Sequence, residues 1–194
     1  MKLSSSTELK QFSSMPLWYT IRGASMIFFG AGVAVMCVIA PNVYMFGEKF
    51  SWIPVIGMIV IVVGFLRIVD AYMSDSVQGF LLNMQGGILD AVAGFLVLFS
   101  ISGQPSELVL LIAGYMLTQG LLRNVLLSVV SIRNPKSNRI TGIISIILGI
   151  LIWLNWPTSA PWFLAFSLSA DIGFRGWSLI MLASSIKMEI AAED

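Results

Sequence analysis

The chain has 194 residues, 57% of them hydrophobic and 11% charged, with a net charge of +1 and a mean hydropathy of +0.90. Water-soluble domains carry about 25% charged residues, so this balance excludes an ordinary soluble domain. The lack of a basic excess also excludes nucleic acid as a partner. There is no histidine and one cysteine, Cys37, so the commonest metal ligand and general base are missing and no intrachain disulfide can form.

In chain order, residues 1–17 are polar and Ser-rich, with Lys2 and Lys10, and are expected to form a cytoplasmic lead, not a signal peptide. Six apolar segments follow at about 18–40, 52–73, 79–101, 107–130, 138–156 and 161–184, each near the roughly 20 residues that cross the hydrocarbon. The links carry turn residues: Pro41-Asn42, Gly103-Gln104-Pro105, Asn134-Pro135 and Pro157 to Pro161. The expected class is therefore all-α, a polytopic membrane domain over 18–184 with a cytoplasmic tail at 185–194. Neighbouring segments are expected to pack as antiparallel hairpins over 18–73, 79–130 and 138–184.

Loop charge sets the expected orientation. With the N-terminus inside, Lys2, Lys10, Arg22, Arg133, Lys136, Arg139 and Lys187 fall on the inner side and only Lys49 on the outer. Both termini are then cytoplasmic. Trp52, Trp153, Trp156 and Trp162 fall near the outer interface and Trp18 near the inner one, where amphipathic rings settle.

The hairpins repeat. Gly23 and Gly30, Gly87 and Gly94, and Gly142 and Gly149 are each seven residues apart, which puts both members of a pair on nearly one helix face. Small residues at such spacing let helices approach closely in lipid, where hydrophobicity cannot drive association. Pro41, Pro105 and Pro157 follow these pairs. In the second helix of each hairpin, Gly57 and Gly64 correspond to Gly114 and Gly120, and loosely to Ala170 and Gly176. All copies run in one direction, unlike inverted transporter repeats.

This Gly…Gly…Pro pattern, most plainly Gly142-Ile143-Ile144-Ser145-Ile146-Ile147-Leu148-Gly149 with Trp156-Pro157 after it, resembles the HdeD-like family of small bacterial inner-membrane proteins. The resemblance spans residues 18–184. It implies six helices in repeated hairpins and an association with acid stress, and it brings no catalytic residues. The outer loop from Pro41 to Ser51 is longer than the family pattern.

Six charges fall inside or at the edge of the apolar segments: Arg67, Asp70, Asp90, Arg123, Asp171 and Arg175. A charge in hydrocarbon must face protein or water and find a partner. Asp70 lies three residues after Arg67, and Asp171 four before Arg175, so both spacings suit pairing on one helix face. The three acids and three bases are expected to pair between helices and fix their docking. The competing use is a proton- or ion-sensitive path. Gln85, Gln119, Asn83 and Asn124 are further candidates for hydrogen bonds across helices. The dispersed methionines suit core filling.

No catalytic, cofactor-binding or metal site is expected. The favoured reading is a non-enzymatic protein of the inner membrane, envelope or acid-stress related, or an accessory subunit. Its partners would be lipids, itself or another integral membrane complex. The alternative is a small transporter or channel built on the Arg/Asp cluster.

Overall fold

The computed structural model describes residues 5–40, 43–45, 48–74, 77–100, 105–129, 135–157 and 160–193. Within them the chain is helical, with six helices: α1 (Ser5–Ile39), α2 (Ile53–Tyr72), α3 (Val77–Phe99), α4 (Pro105–Val129), α5 (Pro135–Trp153) and α6 (Pro161–Glu193). Between α1 and α2 lies a small antiparallel ribbon of β1 (Val43–Met45) and β2 (Glu48–Phe50), with Tyr44 opposite Lys49. The turn residues Asn42, Gly103 and Asn134, and Lys2 and Arg133 of the orientation signal, lie outside the described residues.

Helix boundaries follow from local chemistry. Pro105, Pro135 and Pro161 open α4, α5 and α6, where a missing N–H costs nothing and the fixed φ fits the helix. At the end of α5, Asn155 takes a left-handed φ of 53°. Its N–H donates to Ile152 O at 3.0 Å and that of Trp156 to Leu151 O at 3.0 Å, which satisfies two terminal carbonyls. α1 begins at Ser5, inside the stretch expected as a polar lead, and α6 runs to Glu193, through the expected tail.

The distribution of side chains is inverted relative to a soluble protein. Asp90, Thr141, Ser167 and Ser169 are fully buried, whereas Phe28 and Phe99 are 75% and 80% exposed. Apolar surface on that scale is tolerated by lipid and not by water. Four stretches are long and apolar enough to cross a membrane: Leu17–Ile39, Ile53–Tyr72, Ser106–Leu126 and Lys136–Trp153. α3 contributes a shorter apolar stretch, Asn83–Phe99. α6 is less apolar because it is the helix most enclosed by protein. It packs on α1, α5, α2 and α4, and its Ser167, Ser169, Asp171, Arg175 and Ser178 are buried.

The closest helix pairs differ from the expected ones. α2 packs along α3, α4 along α5, and α6 along α1, while contacts inside the expected hairpins are sparser. Glycines explain the choice. A Cβ at Gly87 would lie 2.8 Å from Gly64 O, and one at Gly94 2.9 Å from Gly57 O. In the second pair, a Cβ at Gly120 would lie 2.6 Å from Gly142 O, and one at Gly149 3.2 Å from Ala113 O. In the third, a Cβ at Gly23 would lie 2.7 Å from Gly176 O, and one at Gly30 2.7 Å from Ser169 O. Each pairing runs antiparallel, so one interface occurs three times.

This geometry also corrects the register of the repeat. The partner of Gly149 is Ala113, not Gly114, and the partner of Gly30 is Ser169, not Ala170. Gly57/Gly64, Ala113/Gly120 and Ser169/Gly176 then share a seven-residue spacing. Gly114 has open space around it.

Two alanine substitutions separate these roles. Gly64→Ala puts a methyl 2.6 Å from the Ala91 backbone nitrogen and is expected to lower the melting temperature in detergent. Gly114→Ala is expected to leave it unchanged or raise it, since alanine in a helix interior gains about 0.5–1 kcal/mol over glycine. Equal effects from the two would show that close approach does not hold the pairs.

Candidate functional site: a buried charge network

Near the centre of the bundle, six side chains from four helices meet. Asp90, on α3 three residues after Gly87, has no solvent exposure. It accepts from Arg67 Nη1 of α2 at 2.8 Å, Tyr115 OH of α4 at 2.6 Å, Gln119 Nε2 of α4 at 2.5 Å and Arg175 Nη1 of α6 at 2.8 Å. Two ion pairs and two neutral donors thus converge on one carboxylate, and burial without them would be prohibitive.

The network continues through Arg175. Its Nη2 donates to Tyr115 OH at 2.9 Å and pairs with Asp171, one turn earlier on α6. Asp171 also accepts from Ser145 Oγ of α5, so a fifth helix joins. Ser145 sits on a column of hydroxyls, with Thr141 Oγ1 donating to Ser137 O at 2.9 Å and approaching Phe174 O at 3.4 Å. Gly86 makes room for the chain of Arg67: a methyl there would occupy the place of the guanidinium. Its carbonyl lies 3.4 Å from Gln119 Nε2.

A second, separate pair ties in α1. Arg22 forms an ion pair with Asp70 of α2, and Trp18 Nε1 reaches the same carboxylate at 3.3 Å. Asp70 therefore pairs across helices, not with Arg67 three residues away. The reason is competition, because Arg67 is drawn to the fully buried Asp90, where desolvation makes a partner worth more.

The six charges anticipated from the sequence are accordingly divided. Arg67, Asp90, Asp171 and Arg175 form the central network, and Asp70 lies in the pair with Arg22. Arg123 is within electrostatic reach of Arg67, Asp90, Asp171 and Arg175, but its buried Nη1 has no hydrogen-bond partner among the described residues. Of the amides, Gln119 bonds across helices, whereas Asn124 turns back to Gly120 O at 3.0 Å.

Tyr115, Ser145 and Arg22 were not singled out from the sequence as members of this network. The corrected repeat register carries a signal for the first. Tyr115 precedes Gly120 by five residues, as Asp171 precedes Gly176, and Gln119 and Arg175 each precede their glycine by one. The same two layers of each repeat thus point to the centre.

No family model, curated protein or solved structure matches this chain. The chemistry must therefore be judged from the site itself. No cluster of three or more His, Cys, Asp or Glu residues with metal-holding geometry occurs among the described residues. The serine bonded to a carboxylate in the network, Ser145, donates to Asp171, which is itself paired with Arg175.

Asp90→Asn leaves Arg67 without its buried counter-charge and Arg175 with Asp171 alone, and is expected to destabilise by about 3–5 kcal/mol. Tyr115→Phe removes one hydrogen bond to the same carboxylate and is expected to cost about 1.5–3 kcal/mol. Thermal or denaturant unfolding in detergent measures both, and a Tyr115→Phe loss as large as that of Asp90→Asn would contradict the ranking.

Proposed function

We propose that this chain is a non-enzymatic protein of the bacterial inner membrane, with six transmembrane helices in three repeats and both termini cytoplasmic. In this reading the charges fasten the helices together and do not conduct. The observation that carries it is the hold on Asp90, which has no solvent exposure and takes three donors on Oδ1 and Arg67 on Oδ2. A proton relay needs a carboxylate that can exchange partners, and this one is held by two arginines at once.

The three copies of the glycine interface support the six-span, three-repeat topology, with α3 and α6 crossing as enclosed or shorter members. Exposed Lys136, Arg139 and Lys187 support a cytoplasmic face at the end where the chain begins and ends. With its polar groups turned inward, the protein presents mainly apolar side chains outward, and action through that surface suits a partner of lipids, of itself or of another membrane complex. The resemblance to the HdeD-like family rests on the repeat alone and supplies the envelope-stress setting. The second reading, a small transporter or channel, draws on the unpartnered Arg123 Nη1.

Two measurements test the proposal. Proteoliposomes carrying the protein are expected to leak protons no faster than empty ones, and mild-detergent purification is expected to recover the chain with a second membrane protein or as a self-assembly. Proton flux that vanishes in Asp171→Asn would replace this reading by the transporter.

A further inference from the structure

The buried charges do not balance. Among the described residues around the bundle centre, Arg67, Arg123 and Arg175 face Asp90 and Asp171, an excess of one positive charge, while Arg22 and Asp70 neutralise each other. Arg67 and Arg175 both pair with Asp90, and Arg175 also with Asp171, whereas Arg123 makes no ion pair among the described residues. Arg22 and Arg175 each have a buried Nε without a partner, as Arg123 has its Nη1, but both of them hold a carboxylate through another nitrogen. Arg123 is half-buried, its inner Nη1 lacks an acceptor among the described residues, and its planar N–H edge is suited to phosphate oxygens.

The location fits an anion arriving from one membrane face. Arg123 lies six residues before the end of α4, which is about 9 Å along the axis at 1.5 Å per residue. The antiparallel register that sets Gly120 against Gly142 and Ala113 against Gly149 brings Arg139 to the level of Arg123, with Lys136 a turn beyond. Both are exposed, as is Lys187 of α6. Attraction to an anionic surface thus leads toward a buried donor that lacks an acceptor.

We propose that Arg123 is an anion-binding residue that takes a phosphate oxygen, supplied by an anionic lipid headgroup or by a free phosphate ion. The inference rests on the charge excess and on the orphan Nη1, and it holds whether the central network fastens helices or conducts.

The test compares melting temperatures of the full chain in nanodiscs of phosphatidylcholine, in nanodiscs containing phosphatidylglycerol, and in phosphatidylcholine with inorganic phosphate added at constant ionic strength. Binding at 100 times the dissociation constant raises the melting temperature of a protein this size by about 5–10 °C. A rise with phosphatidylglycerol alone identifies a lipid headgroup, and a rise with inorganic phosphate identifies a free ion. Arg123→Gln is expected to abolish either rise and to be no less stable than wild type in phosphatidylcholine, because it removes an unpaired charge. Arg123→Lys is expected to retain part of the rise, and Lys187→Gln most of it. Equal melting temperatures in all three settings would overturn the proposal. So would an Arg123→Gln protein that is destabilised in phosphatidylcholine yet keeps the full lipid response.

Discussion

The carboxylate of Asp90 is the point on which the arrangement of helices depends. Groups from α2, α4 and α6 all reach it, so the positions of these helices around α3 are set by hydrogen-bond lengths of 2.5–2.8 Å. In lipid no hydrophobic force orders helices relative to one another, and a buried ion that must be satisfied replaces it. The glycine interfaces act at a different level. They decide which helices lie closest, through backbone contact, whereas Asp90 decides how the resulting pairs are turned toward the centre.

The two devices divide the three repeats unevenly. The glycine interface is present in all three, but the polar layers are not. Where α4 and α6 carry Tyr115 and Gln119, Asp171 and Arg175, the matching positions of α2 are Ile59 and Val63. The same asymmetry runs through the first helices, with Asp90 and Ser145 matched in α1 by Met26. One repeat is therefore apolar at the centre, and α1 is joined through the separate pair of Arg22 and Asp70 nearer one membrane face. Three similar backbones carry one asymmetric network.

Much of the helical content was legible because apolar runs, prolines and the seven-residue glycine spacing act locally. The pairing of helices was not. A helix with short links on both sides can lie against either chain neighbour, and the seven-residue spacing marks a face without saying whose face it meets. The off-by-one register at Gly114 has a simple cause, since Ala113 is small enough to serve and a glycine beside it is more conspicuous. Arg22 passed for a loop charge because it lies only five residues inside the apolar stretch that starts at Leu17. Tyr115 was hidden among aromatic residues whose hydroxyl is invisible to hydropathy. Charge counting without Arg22 made the set of six look neutral.

The pairing of α1 with α6 has a consequence for how the molecule is made. α1 finds its closest partner in α6, five helices later in the chain, and Arg175, which completes the coordination of Asp90, arrives with that same segment. Until then α1 has no glycine-faced neighbour, and Asp90 lacks one of its two cations. The bundle is therefore incomplete, its central charges included, until α6 has been made. Truncation within α6 would leave α1 without its glycine-faced partner and Asp90 without Arg175.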